Sequence, residues 1–278
     1  MANEDTREFW EQRFSFHGHN GFTDPVLYSV DQSNRLKEID KVLENTQHAS
    51  ERVAIDFGCG DGDFTELLIR HGYKVYGIEI SKNALLHCKK RFRRNFYPLT
   101  CDEFINYSES LQASIILSVT TLQHLVEEHD YTSVLNAFAK HAKQNATLIV
   151  LEKVKGCSVR SHNKLITVVR ADNLIIDDFR NKNFTLTNCL HYNETFHILL
   201  RILLKLKSAI NWSKSPAVSF DTGKIRHPTP KNTHRGLVKK MVYLMAAAIW
   251  LVKPVRPLLA KLQEHKIFIF QKNDNPSN

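Results

Sequence analysis

The chain has no pair of cysteines at the spacing of a metal knuckle. Its five cysteines, Cys59, Cys88, Cys101, Cys157 and Cys189, are an odd number and are scattered over 278 residues. This argues against a disulfide framework and against a zinc site, and it fits a reducing compartment. Glycine and proline are few, at 10 and 8, so neither a fibrous repeat nor a large disordered region is expected. No internal repeat or low-complexity tract is present. The start of the chain, Met1-Ala2-Asn3-Glu4-Asp5, is acidic and lacks a basic stretch followed by an apolar run, so a secretory signal is not expected. The apolar run from Met241 to Val252 is bounded by basic residues and by Pro254, and it falls short of the about 20 residues a membrane span requires. The resulting expectation is a cytoplasmic protein that can lie peripherally at the inner face of a membrane.

Acidic residues are scarce in one half only. Residues 1–150 carry 16 Lys and Arg against 21 Asp and Glu, a net charge of −5, whereas the remainder carries 22 against 8, a net charge of +14. Between Arg201 and Lys272 the only acids are Asp221 and Glu264. A field of this sign attracts phosphates, anionic headgroups or nucleic acid, although a solvated basic face would have the same composition.

The pattern of apolar residues divides the chain. Arg7 to Phe16 and Asp31 to Leu43 read as helices, the second with Leu36, Ile39, Val42 and Leu43 on one stripe. From Arg52 onward, short apolar runs alternate with helical stretches, which is the signature of a parallel sheet. The strand candidates are Val53 to Phe57, Lys74 to Glu79, Tyr97 to Thr100, Ser114 to Ser118, Thr147 to Glu152, Phe184 to His191 and Lys266 to Gln271. Helices are expected to begin near Gly62, Ser81, Glu103 and Tyr131. The last two strands are separated by too long a gap for a loop. Helical stretches from Glu194 to Asn211 and from Gly236 to Leu262 fill it, joined by a polar linker. The expected organisation is a helical cap at 1–50, an α/β domain at 51–192 and 265–272, and a basic helical insertion at 193–264.

The most informative segment is Val53-Ala54-Ile55-Asp56-Phe57-Gly58-Cys59-Gly60-Asp61-Gly62, an apolar strand running into glycines at alternate positions and then a helix. Such a turn lets the backbone approach a ligand at a helix N-terminus. Dinucleotide sites space their glycines as G-x-G-x-x-G to seat a pyrophosphate. Here the spacing is G-x-G-x-G, and Asp56 at the strand end would repel a phosphate while favouring ammonium and sulfonium groups. About 20 residues on, Val75-Tyr76-Gly77-Ile78-Glu79 ends in a carboxylate where Rossmann logic puts the acceptor for two ribose hydroxyls. A third strand leads to Cys101-Asp102-Glu103-Phe104, which supplies a carboxylate for an adenine amino group and a ring to lie against the base.

Taken together, Asp56 to Gly62, Glu79 and Asp102 resemble the successive cofactor motifs of class I S-adenosylmethionine-dependent methyltransferases. The resemblance implies a Rossmann-like, seven-stranded, mostly parallel α/β sheet. Helices would cover both faces, with an antiparallel last strand and a helical insertion before it. It implies S-adenosyl-L-methionine as cofactor and S-adenosyl-L-homocysteine as product. The implied cofactor residues are Asp56, Gly58, Cys59, Gly60, Asp61, Glu79, Ile80, Asp102, Glu103 and Phe104. Ser118-Val119-Thr120-Thr121-Leu122-Gln123-His124 is similar to the stretch after the fourth strand in that family, so Ser118, Val119 and Gln123 would border the donor's methionine portion. Tyr28 and Arg35 would cover the donor and hold its carboxylate, unless this segment is ordinary N-capping by Asp31 or Ser33.

Methyl transfer needs alignment and exclusion of water, and a hydroxyl acceptor also benefits from a base. His124 and Glu152 are the candidates, with His17 and His19 in reserve, and packing is the alternative role for His124. The expected acceptor is a small molecule or a glycan, anionic and in some cases lipid-linked, methylated on oxygen. Methylation of RNA or tRNA ranks second, because no Asn-Pro-Pro-Tyr type strand end follows Leu117 and no RNA-binding module is recognisable. A non-catalytic, membrane-recruiting subunit ranks third. The insertion sets Arg201, Lys205 and Lys207 beside leucines, and Lys239, Lys240, Lys253, Arg256 and Lys261 around its apolar run. Such a surface could meet an anionic membrane or pack on the sheet.

Overall fold

Why the chain folds as it does is clearest in the strands. Residues alternate between two apolar environments, so both faces of the sheet must be covered. In the computed structural model, residues 4–19, 25–46, 52–155, 159–161, 164–192 and 264–273 are described. Seven strands form the main sheet: β1 (Val53–Phe57), β2 (Lys74–Ile78), β3 (Phe96–Leu99), β4 (Ala113–Val119), β5 (Ala142–Lys153), β8 (Phe184–His191) and β9 (His265–Lys272), in the order β3-β2-β1-β4-β5-β9-β8. The pairs β1–β2, β2–β3, β1–β4 and β4–β5 are parallel, and β9 runs antiparallel to both β5 and β8. This is a Rossmann-like α/β sheet. The strand order reverses between β1 and β4, where open sheets of this kind bind ligands at the carboxyl ends.

One face carries Ile55, Phe57, Ile116, Leu148, Val150, Phe268 and Phe270. They pack with Phe104 of α5 (Cys101–Asn106), Val134, Leu135 and Phe138 of α6 (Glu128–His141), and Ile175 and Phe179 of α7 (Asp172–Arg180). The opposite face carries Ala54, Val75, Ile115, Leu117, Ile149, Leu151 and Ile267. These meet Ile39, Val42 and Leu43 of α2 (Pro25–Glu44) and Phe64, Leu67 and Leu68 of α3 (Asp63–Arg70). A smaller group, Cys59, Leu85, Cys88 and Phe96, seats α4 (Lys82–Phe92) against β3.

Helix starts follow local chemistry. Ser81 caps α4 by accepting from the Ala84 amide at 3.1 Å, and Thr100 and Glu103 form a reciprocal capping box at α5. The Thr100 cap is why β3 stops at Leu99 rather than including Thr100. Two elements were not expected from the sequence: α7, and an antiparallel pair β6 (Val159–Ser161) and β7 (Lys164–Thr167). β5 begins five residues earlier than its apolar run, and the register against β4 shifts between Ala113 and Ile115. A second register shift lies between Leu186 and Asn188, where β8 meets β9.

The chain divides into two units. One comprises 1–23, 32–192 and 264–278, and the other 24–31 with 193–263. Of the second, only the opening of α2 is among the described residues, and the expected helices at 194–211 and 236–262 lie outside them. Among the described residues no helix is long and apolar enough to cross a membrane.

Gly77 in β2 is required by packing. A Cβ there would stand 2.1 Å from Cε2 of the Phe96 ring and 3.1 Å from the Cys59 sulfur. Gly77→Ala is expected to destabilise the fold by about 1–3 kcal/mol through overpacking, with partial recovery when combined with Phe96→Leu. Urea unfolding of the single and double variants measures both effects.

Candidate active site

The turn after β1 is built on positive backbone angles. Gly58, Gly60 and Gly62 have φ of 80°, 52° and 88°, which side-chain-bearing residues rarely adopt. Two of the three are also packed. A Cβ at Gly58 would lie 2.1 Å from the Thr121 hydroxyl, and one at Gly62 would lie 2.5 Å from Phe92. Gly60 differs, since a Cβ there would meet nothing nearer than 4.0 Å, so the backbone at this position borders open space.

Glu79, one residue beyond β2, reaches back to this turn. Its Oε2 accepts from the Gly60 amide at 3.0 Å, and its Oε1 accepts from the amides of Ile80 at 2.8 Å and Ser81 at 3.1 Å. Burial raises its pKa, opposed by those three hydrogen bonds. Asp56, at the end of β1, is also buried and accepts from the Thr65 hydroxyl at 2.6 Å. Burial lifts it to about 7, partly offset by Thr65, with Glu79 adding repulsion. Cys59 is buried against Cys88, and the Cys88 thiol donates to the Gly60 carbonyl at 3.4 Å.

The ends of β4 and β5 meet at a second turn. Thr120 takes φ of 52°, and a short 3₁₀ helix follows at Leu122–His124. Glu152, buried at the end of β5, accepts from the amides of Leu122 at 2.8 Å and Gln123 at 3.2 Å. Arg170 holds the other end of the turn, donating to the carbonyls of Leu122 at 3.1 Å and Leu125 at 2.8 Å while lying 3.7 Å above the Tyr131 ring. Two buried polar atoms here have no hydrogen-bond partner in the protein, Ser118 Oγ and Gln123 Oε1.

Helix α1 (Glu4–His17) crosses these strand ends. Arg7 pairs with Asp102 at 3.3 Å, and Trp10 stands edge-on to His124 at 4.7 Å between ring centres. Glu11 accepts from the Ser81 hydroxyl at 2.8 Å and the Lys82 amide at 2.7 Å, at the N-terminus of α4.

Residues 55–148, from β1 into β5, match the family model described as a methyltransferase domain. That stretch is similar to a methyltransferase domain and coincides with the Rossmann-like half of the sheet. Uncharacterised methyltransferases of Bacillus cereus and Bacillus anthracis are each 26% identical to it over 136 residues. That match covers 44% of this chain and 64% of theirs. Among solved structures, the 1,6-didemethyltoxoflavin-N1-methyltransferase of Burkholderia thailandensis, with S-adenosylhomocysteine bound, superposes with a TM-score of 0.57 at 11% identity. It covers 99% of this chain and 92% of its own. A cyclopropane synthase of Mycobacterium tuberculosis gives 0.54 at 16% identity, covering 86% of this chain and 84% of its own. At these identities the likeness is one of fold.

Within the matched stretch, Asp56, Gly58, Cys59, Gly60, Asp61, Glu79 and Ile80 gather at the first turn, and Ser118, Val119, Gln123 and His124 gather at the second. Arg35 joins the second by donating to the Thr120 hydroxyl at 2.9 Å. Tyr28 belongs to the other unit. His17, the last residue of α1, and His19 stack on each other at 5.8 Å, and burial lowers the His19 pKa. Three residues depart from their expected roles. Phe104 is wholly buried among Phe57, Phe138 and His141, so it is a core residue and no platform for a base. Glu152 spends its oxygens on backbone amides, which makes it a support for the turn rather than a base facing an acceptor. Glu103 is turned onto Thr100, its capping partner. Sequence reasoning missed Arg7, Trp10, Glu11, Thr121 and Arg170, all of which act over long sequence separations.

Glu152 makes the stability of the domain depend on pH. Burial raises its carboxyl from 4.5 to about 7, against the hydrogen bonds of the turn. The folded protein therefore keeps a proton that the unfolded chain releases, and the associated stability, full below 4.5, is lost as pH rises through about 7. Glu152→Gln cannot titrate, so it should gain stability relative to the wild type across that interval. Thermal melts of the two proteins in a pH series would read the difference; parallel curves would contradict it.

Proposed function

We propose that this protein transfers the methyl group of S-adenosylmethionine to oxygen of an anionic small molecule or glycan, lipid-linked in some cases. The observation that carries the donor assignment is the glycine turn with Glu79 across it. Open space borders Gly60, a buried carboxylate stands at the end of each of β1 and β2, and the orphaned Ser118 Oγ and Gln123 Oε1 lie at the end of β4. These residues fit the group. Glu79 would accept from the ribose hydroxyls and Asp102 from the adenine amino group, once released from Arg7. Ser118, Val119, Gln123 and Arg35 would hold the methionine portion. The bound donor supplies a methyl group on an electrophilic sulfonium. The protein's share is to orient the acceptor, exclude water and take a proton from the attacking hydroxyl.

His124 is the residue proposed for that proton. Its Nδ1 lies 3.4 Å from the Thr167 hydroxyl, its Nε2 lies 3.4 Å from the Gln123 side-chain nitrogen, and Trp10 packs on the ring. The positive charge of the second half of the chain supports an anionic acceptor.

Calorimetric titration with S-adenosylmethionine and S-adenosylhomocysteine is expected to give micromolar affinity, about −8 kcal/mol, weakened about tenfold or more by Asp56→Ala and by Glu79→Ala. A folded protein that binds neither ligand would remove the assignment. Incorporation of labelled methyl into glycan, lipid and RNA fractions then identifies the acceptor class. With the acceptor in hand, His124→Ala should lower turnover by about a hundredfold or more and leave donor affinity unchanged. Label found in RNA alone would replace the glycan reading.

A further inference from the structure

The end of helix α4 and the turn after it read Lys89-Lys90-Arg91-Phe92-Arg93-Arg94, five cations in six residues, within a half of the chain whose net charge is −5. Arg91 is neutralised by Asp63 and Glu66. Lys89, Lys90, Arg93 and Arg94 are exposed, and among the described residues none forms an ion pair. Favourable alignment with the helix dipole accounts for cations in the last turn but not for Arg93 and Arg94, which lie past it. Phe92 anchors the run from beneath by packing against the cluster of Cys59, Leu85, Cys88 and Phe96.

Apolar side chains are exposed on α4 and on the helix packed against it. Leu86 lies one helical turn before Lys89 and Lys90 and is 55% exposed. Phe16 of α1 is 68% exposed. The two helices pack together through Asn83 on Ser15 at 3.2 Å and Phe14 on His87 at 5.9 Å between ring centres. Large apolar residues beside unpaired cations are the composition of a surface that enters the headgroup layer of an anionic bilayer. Nucleic acid would engage the cations but has no use for an exposed leucine.

We propose that the exposed face of α4, with Leu86 beside Lys89 and Lys90 and with Arg93 and Arg94 following, docks the protein on an anionic lipid surface. The run stands behind the glycine turn, where Arg91 donates to the Asp61 carbonyl at 3.0 Å and Phe92 packs beside Gly62. The run belongs to the acidic half of the sequence, and its role does not depend on the identity of the methyl donor.

The test is cosedimentation of the full chain with vesicles of phosphatidylcholine alone and of phosphatidylcholine with phosphatidylglycerol. Binding to the anionic vesicles only, falling with salt, is expected. Each cation at such a surface contributes about fivefold to partitioning. Replacing Lys89, Lys90, Arg93 and Arg94 together by Gln should therefore weaken binding by at least about tenfold. Leu86→Ser should weaken it while keeping its salt dependence. Circular dichroism and an unchanged affinity for S-adenosylhomocysteine would show that the variants are folded. Equal binding to neutral vesicles, undiminished binding by the Gln variant, or binding to RNA without binding to vesicles would each overturn the proposal.

Discussion

The candidate active site depends on the Glu79 carboxylate. Parallel strands leave their carboxyl ends as separate loops, and something must hold those loops in one arrangement. Glu79 does this by accepting from Gly60 on the first loop and from Ile80 and Ser81 on the second. Ser81 in turn caps α4 and donates to Glu11 of α1. A single buried charge is thus the centre of a hydrogen-bonded path that runs from the glycine turn through the β2 end to the N-terminal helix. Such a charge is tolerated in the interior because backbone amides satisfy it.

Glu152 repeats this device on the other side of the strand reversal. There the carboxylate gathers the amides of the Leu122–His124 turn, and Arg170, laid flat on Tyr131, takes the carbonyls. The groups proposed to meet donor and acceptor are carried by these two turns. Methyl transfer asks an enzyme chiefly for alignment, and alignment is what rigid turns provide. α1 then links the two sides, touching the rim at Asp102, His124 and Ser81.

What could be read from the sequence was what chain order carries. The G-x-G-x-G turn, the carboxylate at the end of β2 and the alternation of strand and helix are local patterns, and the seven strands of the main sheet overlap the apolar runs that predicted them. The contacts of α1 could not be read, because Arg7–Asp102 and Trp10–His124 join residues about a hundred positions apart and no local signal pairs them. The assignment of Phe104 was avoidable. Asp102 and Phe104 are two residues apart on a helix, roughly 200° around its axis, so they cannot serve one ligand. The role of Glu152 was hidden for a different reason, since a carboxylate at a strand end looks the same whether it meets a substrate or the chain's own amides.

The two edges of the sheet are also where it is least regular. β3, at one edge, contains Pro98, which has no amide hydrogen to offer, and β8, at the other, breaks register between Leu186 and Asn188. Uninterrupted edge strands are templates on which a second chain can add, and proline and bulges are the usual means of spoiling them. The strands in the middle can therefore carry long apolar runs, as β4 and the second half of β5 do, while the boundaries of the sheet discourage growth into a larger aggregate.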